Sequence, residues 1–554
     1  METGFHWDEG ATSWDELVGS FRWDVPDRFN IADWACDRWV GSGRDALLEW
    51  HPGAPEKSLS FDALADASKR FANVLLEGGL ARGDRVAVLL PQSPETVIAH
   101  LACYRAGLIA VPLALLFGPD AIRYRLDFAQ VRCLVTNSQG AATLARVSGP
   151  LPHLRRTIDV DRDDFVTMLH DASPEHTRVD TKADDPALII YTSGTTGPPK
   201  AALHAHRVLI GHLPGILTLH DLRLRVEDGD RSWTPADWAW AGGLLNTLLT
   251  SLAMGVPVVY SRQPKFDPRG AFRLIAEAEV RNAFIPPTAL RLMRSAGAGD
   301  WQPRLRSLFS GGEALGAATY EWAREAFGLT VNEGYGQTEC NIATASCAGL
   351  GQARPGAMGR PSPGRDTRIL DENGDECAPG DPGTIAIRSP DPIMFLEYFD
   401  DEEATNAKFA TFDGTRWMLT GDRGYRDADG FLHFQGRDDD IITSAGFRIG
   451  PGEIEDCLVQ HPAVMLAAAV GKPDAVRTQI VKAYVVVAEE YAADEGLKAE
   501  LSHFVRQRLS AHEYPREIDF VQEMPLTTTG KVIRRDFRER AAREASNAQQ
   551  ASQA

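Results

Sequence analysis

A short apolar run, Ala187-Leu-Ile-Ile190, follows the breaker Pro186 and empties directly into Tyr191-Thr-Ser-Gly-Thr-Thr-Gly-Pro-Pro-Lys200. The run is brief, partly β-branched and bounded by turn formers, which predicts a buried strand. Thr192, Ser193, Gly194, Thr195 and Thr196 then turn hydroxyls and backbone N–H groups toward one point, where phosphate oxygens can be wrapped, and Lys200 adds a point charge. The common P-loop is a different object, requiring Gly-x-x-x-x-Gly-Lys followed by Ser or Thr. Here Gly194 and Gly197 stand too close together, and Lys200 lies between Pro199 and Ala201. Gly530-Lys531 comes nearer, but Val532 follows it and Pro525 occupies the first glycine's place. A kinase or GTPase of that class is disfavoured.

Strands and helices alternate across residues 84–260. Asp84-Arg-Val-Ala-Val-Leu-Leu-Pro91 reads as a strand, Ser93 and Pro94 as the N-cap and first position of a helix, and Leu108-Ile-Ala-Val-Pro-Leu113 as the next strand. That rhythm predicts parallel sheets covered by helices. Thr367-Arg-Ile-Leu-Asp-Glu-Asn-Gly374 and Gly383-Thr-Ile-Ala-Ile-Arg388 change the style to antiparallel β structure. Beyond Arg437, residues 466–470 and 480–487 read as strands, while Leu497, Leu501, Phe504, Val505 and Leu509 recur at helical spacing. The expected fold class is α/β. A large N-terminal domain of parallel-rich sheets with helices plus a β subdomain spans residues 1–437, and a small mobile α+β C-terminal domain spans 438–540. Residues 541–554 lack apolar bulk and are expected to form a disordered tail.

A chain of 554 residues exceeds one domain by length, and its net charge of −19 argues against nucleic acid or an anionic membrane as partner. Anionic ligands must therefore be held by local sites. Seven scattered cysteines without a Cys-x-x-Cys pair predict reduced thiols in a cytoplasm rather than a disulfide framework or a zinc site. The opening Met-Glu-Thr-Gly-Phe-His-Trp-Asp-Glu has no apolar core, so no signal peptide is expected. Residues 239–261 carry no charge and are long enough to span a bilayer, but Gly242, Gly243, Asn246, Gly255 and Pro257 predict a buried helix, turn and strand instead.

The loop 191–200 resembles the phosphate loop of the adenylate-forming superfamily, which includes acyl-CoA synthetases, adenylation domains of peptide synthetases and firefly luciferase. Four further blocks follow in that family's order: Asn332-Glu-Gly-Tyr-Gly-Gln-Thr-Glu339, Thr420-Gly-Asp-Arg-Gly-Tyr425, Gly436-Arg-Asp-Asp-Asp-Ile-Ile-Thr-Ser-Ala-Gly-Phe-Arg-Ile449 and Pro525-Leu-Thr-Thr-Thr-Gly-Lys531. The resemblance covers roughly residues 25 to 540, and the stretch Val25-Pro-Asp-Arg-Phe-Asn-Ile31 is most similar to the medium-chain acyl-CoA synthetase branch. It implies that ATP activates a carboxylic acid as an acyl-adenylate, with pyrophosphate released, and that CoA then takes the acyl group, releasing AMP.

The resemblance also assigns roles. Thr192, Ser193, Gly194, Thr195, Thr196 and Lys200 hold the leaving phosphates; Gly312 and Glu313 belong to the adenine-binding turn; Tyr335 stacks on adenine beside Gly336. Thr338 contacts the α-phosphate, and Glu339 ligates Mg²⁺, a role suited to a hard carboxylate oxygen. Asp422 accepts the ribose hydroxyls, and Arg437 and Arg448 contact the nucleotide. Lys531 sits between acid and α-phosphate, where a compact ammonium concentrates charge. Asp439 matches the hinge about which the C-terminal domain swivels, and Gly446 lines the tunnel for pantetheine. Trp238, Trp240 and Gly336 are expected to shape the acyl pocket, with Gly336 deepening a floor where acetate-specific relatives carry tryptophan.

The expected co-substrates are ATP, Mg²⁺ and coenzyme A, with a medium-chain, branched or aromatic acid as the third reactant and a homodimer compatible with the chain. Two alternatives remain open: loading of a carrier-protein pantetheine, and luciferase-type oxygenation of the adenylate. A binding protein descended from such an enzyme would have no need of Lys531, Glu339 and Asp422 together.

Overall fold

The computed structural model describes residues 3–553 apart from 177, 193–197, 264–265, 438–439, 445–446, 475–476, 489, 510–513 and 526–531. The apolar run at 187–190 lies in the strand Pro186–Tyr191, buried along nearly its whole length. It belongs to a seven-stranded sheet ordered Glu397–Tyr398, Ala201–Ala205, Pro186–Tyr191, Ile109–Pro112, Arg85–Leu89, Cys133–Thr136 and Arg156–Asp159. Pairing is parallel from Pro186–Tyr191 to Arg156–Asp159 and antiparallel at the other two strands. The apolar runs of its central strands, such as residues 187–190 and 86–89, follow from helices covering both faces. One of those helices, Pro94–Arg105, starts as expected: Pro94 occupies its first turn and the Ser93 side chain accepts the Thr96 N–H.

A second sheet of nine strands runs parallel from Val331–Tyr335 through Ser307–Gly311, Asn282–Phe284, Ser232–Trp233 and Val258–Tyr260 to Asp45–Glu49, with antiparallel strands at both edges. The helix Val208–Leu219 is apolar on every side, and all twelve of its residues are buried. It has no solvent face, as a helix without a polar stripe must. Residues 239–261 form helical turns over 241–253, a left-handed Gly255 at φ +70° and the strand Val258–Tyr260. Among the described residues no helix is long and apolar enough to cross a membrane.

The antiparallel part is a five-stranded sheet in which Thr367–Leu370, Gly383–Arg388, Thr415–Arg426 and Phe409–Phe412 follow one another and Leu432–Arg437 pairs with Thr415–Arg426. A fourth sheet holds Ile442–Ser444, Phe447–Ile449, Val464–Asp474, Thr478–Val487 and Glu517–Phe520. The helix Glu495–Arg508 buries Leu497, Leu501 and Val505 against it.

The expected disordered tail is corrected. The helix Arg534–Gln553 continues through residues 541–553, burying Phe537, Ala541 and Ala545 against the fourth sheet. Alanines one turn apart let the helix approach closely, so little apolar bulk suffices. The Phe537 ring stacks on Tyr484 at 4.2 Å.

Candidate active site

Three parallel strands end at the site: Pro186–Tyr191 from the first sheet, and Ser307–Gly311 and Val331–Tyr335 from the second. Carboxyl ends of parallel strands are where α/β sheets place ligands, because the connecting loops fan out there. After the first strand, the Thr192 N–H donates to the Lys200 carbonyl at 2.8 Å and the Lys200 N–H to Thr192 Oγ1 at 3.3 Å, closing the neck of the loop. Ser193, Gly194, Thr195 and Thr196 lie outside the described residues. The Lys200 ammonium stands 5.0 Å from the centre of the Tyr398 ring.

Thr338 and Glu339 follow the third strand, Thr338 half-buried and Glu339 buried. The Tyr398 hydroxyl donates to Glu339 Oε1, and the Phe395 N–H donates to the Glu339 carbonyl at 2.8 Å. Glu339 has no ion-pair partner among the described residues. A buried carboxylate left without a cation is costly, so this donor set fits a metal ligand.

A second cluster gathers around Asp422, carried on Thr415–Arg426 in register with Arg437. Tyr335 Oη and Gln337 Nε2 both donate to Asp422 Oδ2 at 2.7 Å, whereas Oδ1 faces Arg437 Nε at 3.6 Å. Oδ1 is buried and accepts no hydrogen bond from the described residues. Burial pushes the Asp422 carboxyl up, opposed by the Tyr335 hydrogen bond and the Arg437 charge. The Tyr335 ring is held by its own hydroxyl and lies 6.3 Å from the partly exposed Phe434. Gly312 adopts φ +97°, a conformation that favours glycine. The Glu313 carboxylate is committed locally, accepting the Thr288 N–H at 2.8 Å and pairing with Arg291 at 3.0 Å.

Trp238 is 1% exposed and packs in the main core, 6.1 Å from Tyr260. At Gly336 a Cβ would fall on the carbonyl oxygen of Asn341. Its glycine is required by that backbone approach. Trp240 remains half-buried, edge-on to Phe117 at 5.8 Å.

Lys531, Gly446 and Asp439 lie outside the described residues, as does the side chain of Arg448 on the strand Phe447–Ile449. The chain beside Lys531 is anchored, with the Ile533 N–H donating to the Pro525 carbonyl at 2.8 Å and Arg534 paired with Glu455. Three contributors escaped the sequence reading. Gln337 bridges Asp422 and the Thr420 carbonyl, Lys408 Nζ reaches that carbonyl at 2.9 Å, and Tyr398 joins Lys200 to Glu339. Position between Tyr335 and Thr338 was the only signal for Gln337; Lys408 and Tyr398 had none.

A phosphate-type loop, a buried carboxylate and a glycine turn at adjoining strand ends define an α/β enzyme of the nucleotide-binding class. Residues 37–399 match the AMP-binding enzyme family and residues 453–531 match the AMP-binding enzyme C-terminal domain, and the chain belongs to this family. It is 33% identical over 552 residues to acyl-coenzyme A synthetase ACSM3, mitochondrial, of Mus musculus, covering 96% of this chain and 94% of that one. Among solved structures, the anthranilate CoA ligase AuaEII in complex with anthranoyl-AMP superposes with a TM-score of 0.84 at 26% identity, covering 94% of this chain and 99% of the other. The Brucella canis acyl-CoA synthetase superposes with a TM-score of 0.72 at 34% identity, over 96% and 99% of the two chains.

Proposed function

We infer that the protein is an ATP-dependent acid–thiol ligase that converts a carboxylic acid to its acyl-CoA. The observation that supports this reading is the linkage of Lys200 to Glu339 through Tyr398, with Asp422 held by Tyr335 and Gln337 of the segment that leads to Glu339. In the first step the acid's oxygen attacks the α-phosphorus; the acyl–phosphate bond forms and the bond to pyrophosphate breaks. In the second step the CoA sulfur attacks the acyl carbon, the thioester forms, AMP leaves, and the thiol proton passes to solvent. Two anions must meet in the first step, so preorganised positive charge is the main requirement.

We assign Lys200 with residues 192–196 to the leaving phosphates, Thr338 to the α-phosphate, Asp422 Oδ1 to the ribose and Lys531 to the attacking centre. Glu339 is the residue assigned to hold Mg²⁺, which supplies charge neutralisation at the phosphates. Trp240 and Phe117 support an aromatic acid among the substrates, as does the anthranilate ligase likeness. All seven cysteines are free, which supports a reducing compartment, proposed as the cytoplasm; the mouse relative's name places that protein in the mitochondrion.

Pyrophosphate release measured for acids from acetate to palmitate, with branched and aromatic members, tests the assignment. One acyl-CoA and one AMP are expected per pyrophosphate. Thioester formed only on a carrier protein, or product that requires oxygen, would overturn it in favour of the alternatives. The proposed thiol tunnel has its own check. Gly446→Leu is expected to keep acid-dependent pyrophosphate exchange and lose about 10²-fold in CoA-dependent turnover, since a misplaced thiol forfeits its orientation. Unchanged CoA turnover would leave Gly446 as an ordinary turn residue.

A further inference from the structure

We propose that Tyr398 is the positioning residue that couples the phosphate lysine to the metal-binding carboxylate, an inference resting on the roles given above to Lys200 and Glu339. Tyr398 is 2% exposed and sits on the short strand that pairs antiparallel with Ala201–Ala205, opposite Ala202. That partner strand begins directly after Lys200, so the ladder fixes the lysine's backbone beside the tyrosine. Phe395 meets the Tyr398 ring edge-on at 4.9 Å while its N–H holds the Glu339 carbonyl. One turn thereby restrains Glu339 at both its backbone and its side chain.

The phenol presents two unlike faces. Its hydroxyl gives its one proton to Glu339 Oε1, and its π surface faces the Lys200 ammonium at 5.0 Å. A neutral donor orients a carboxylate without cancelling its charge. A π face attracts an ammonium without consuming any of its three N–H donors. A carboxylate in this place would neutralise Lys200, and a cation would neutralise Glu339. Tyrosine keeps both charges available, at a set separation, for the metal and the phosphates they are to bind.

The test is a titration of the full-length protein with Mn²⁺ in place of Mg²⁺, followed by electron paramagnetic resonance in the presence of a non-hydrolysable ATP analogue. Tyr398→Phe keeps the ring, its packing and the ammonium contact. It is expected to weaken Mn²⁺ about tenfold, the loss of one hydrogen bond to a charged group, with KM for the acid unchanged. Tyr398→Leu removes both faces and is expected also to weaken the metal-free analogue about threefold. Glu339→Gln is run alongside. Should Glu339→Gln lose Mn²⁺ affinity while Tyr398→Phe binds like wild type, the coupling role is overturned and the site assignment stands. Should Glu339→Gln bind Mn²⁺ like wild type, the metal assignment fails and takes this inference with it.

Discussion

Lys531→Ala is expected to lower acid-dependent pyrophosphate exchange by about 10²–10³-fold while leaving thioester formation from supplied acyl-adenylate and CoA largely intact. The asymmetry is the informative part. In adenylation a carboxylate approaches a triphosphate, and negative charge concentrates at the α-phosphorus. An ammonium placed there stabilises the transition state more than either reactant. Thioesterification proceeds by loss of AMP and has no comparable need for that charge. Lys531→Arg is expected to recover little, because a planar guanidinium spreads the charge that a compact ammonium concentrates. The half-reactions are measured separately, by isotope exchange into ATP and by acyl-CoA formation from synthetic adenylate. Equal losses in both would contradict the assignment.

Gly336→Ala is expected to cost about 3 kcal/mol of stability and to depress activity alike for acetate, butyrate, hexanoate and benzoate. The new methyl group has nowhere to go: its position coincides with the Asn341 carbonyl, which is backbone and cannot rotate aside. The turn that follows, where the Asn341 N–H reaches the Gln337 carbonyl at 2.5 Å, leads into Thr338 and Glu339, so displacing it disturbs the phosphate side rather than the acyl side. Gly336→Trp follows the same logic more severely. Thermal unfolding together with specificity constants for the four acids decides the matter. A selective gain for acetate, with the melting temperature unchanged, would favour the pocket-floor role and show that the Asn341 carbonyl yields.

The strands were legible because burial on both faces writes itself as an uninterrupted apolar run, as at 187–190 and 86–89, and because Ser93-Pro94 announces a helix start by capping and a preset φ. Thr338, Glu339 and Asp422 stood out in the sequence only as members of blocks in family order. Gly336 is ambiguous in the sequence, since a missing side chain looks the same whether it vacates space for a ligand or for another stretch of backbone. Trp238 is ambiguous too, because tryptophan serves core and pocket equally. Tyr398 lay beyond sequence reasoning for a topological reason: it joins Glu339 across 59 residues of chain and Lys200 across a sheet edge, and neither relation has a spacing. The terminal helix was missed because alanine counts for little in a tally of bulk, yet fits where a helix lies close on a sheet.

That terminal helix determines how far the chain can be cut back. Lys482 is only 3% exposed, and its ammonium is compensated by Asp519 at 2.9 Å and by Glu544, a residue beyond every recognisable motif. Ending the chain at 540 would strip away Glu544 together with Ala541 and Ala545, uncovering part of the sheet face behind Tyr484 and leaving a nearly buried cation with one close partner fewer. The smallest version of this protein that keeps its C-terminal unit whole is thus set by a charge balance, some way past the last residue with any chemical duty.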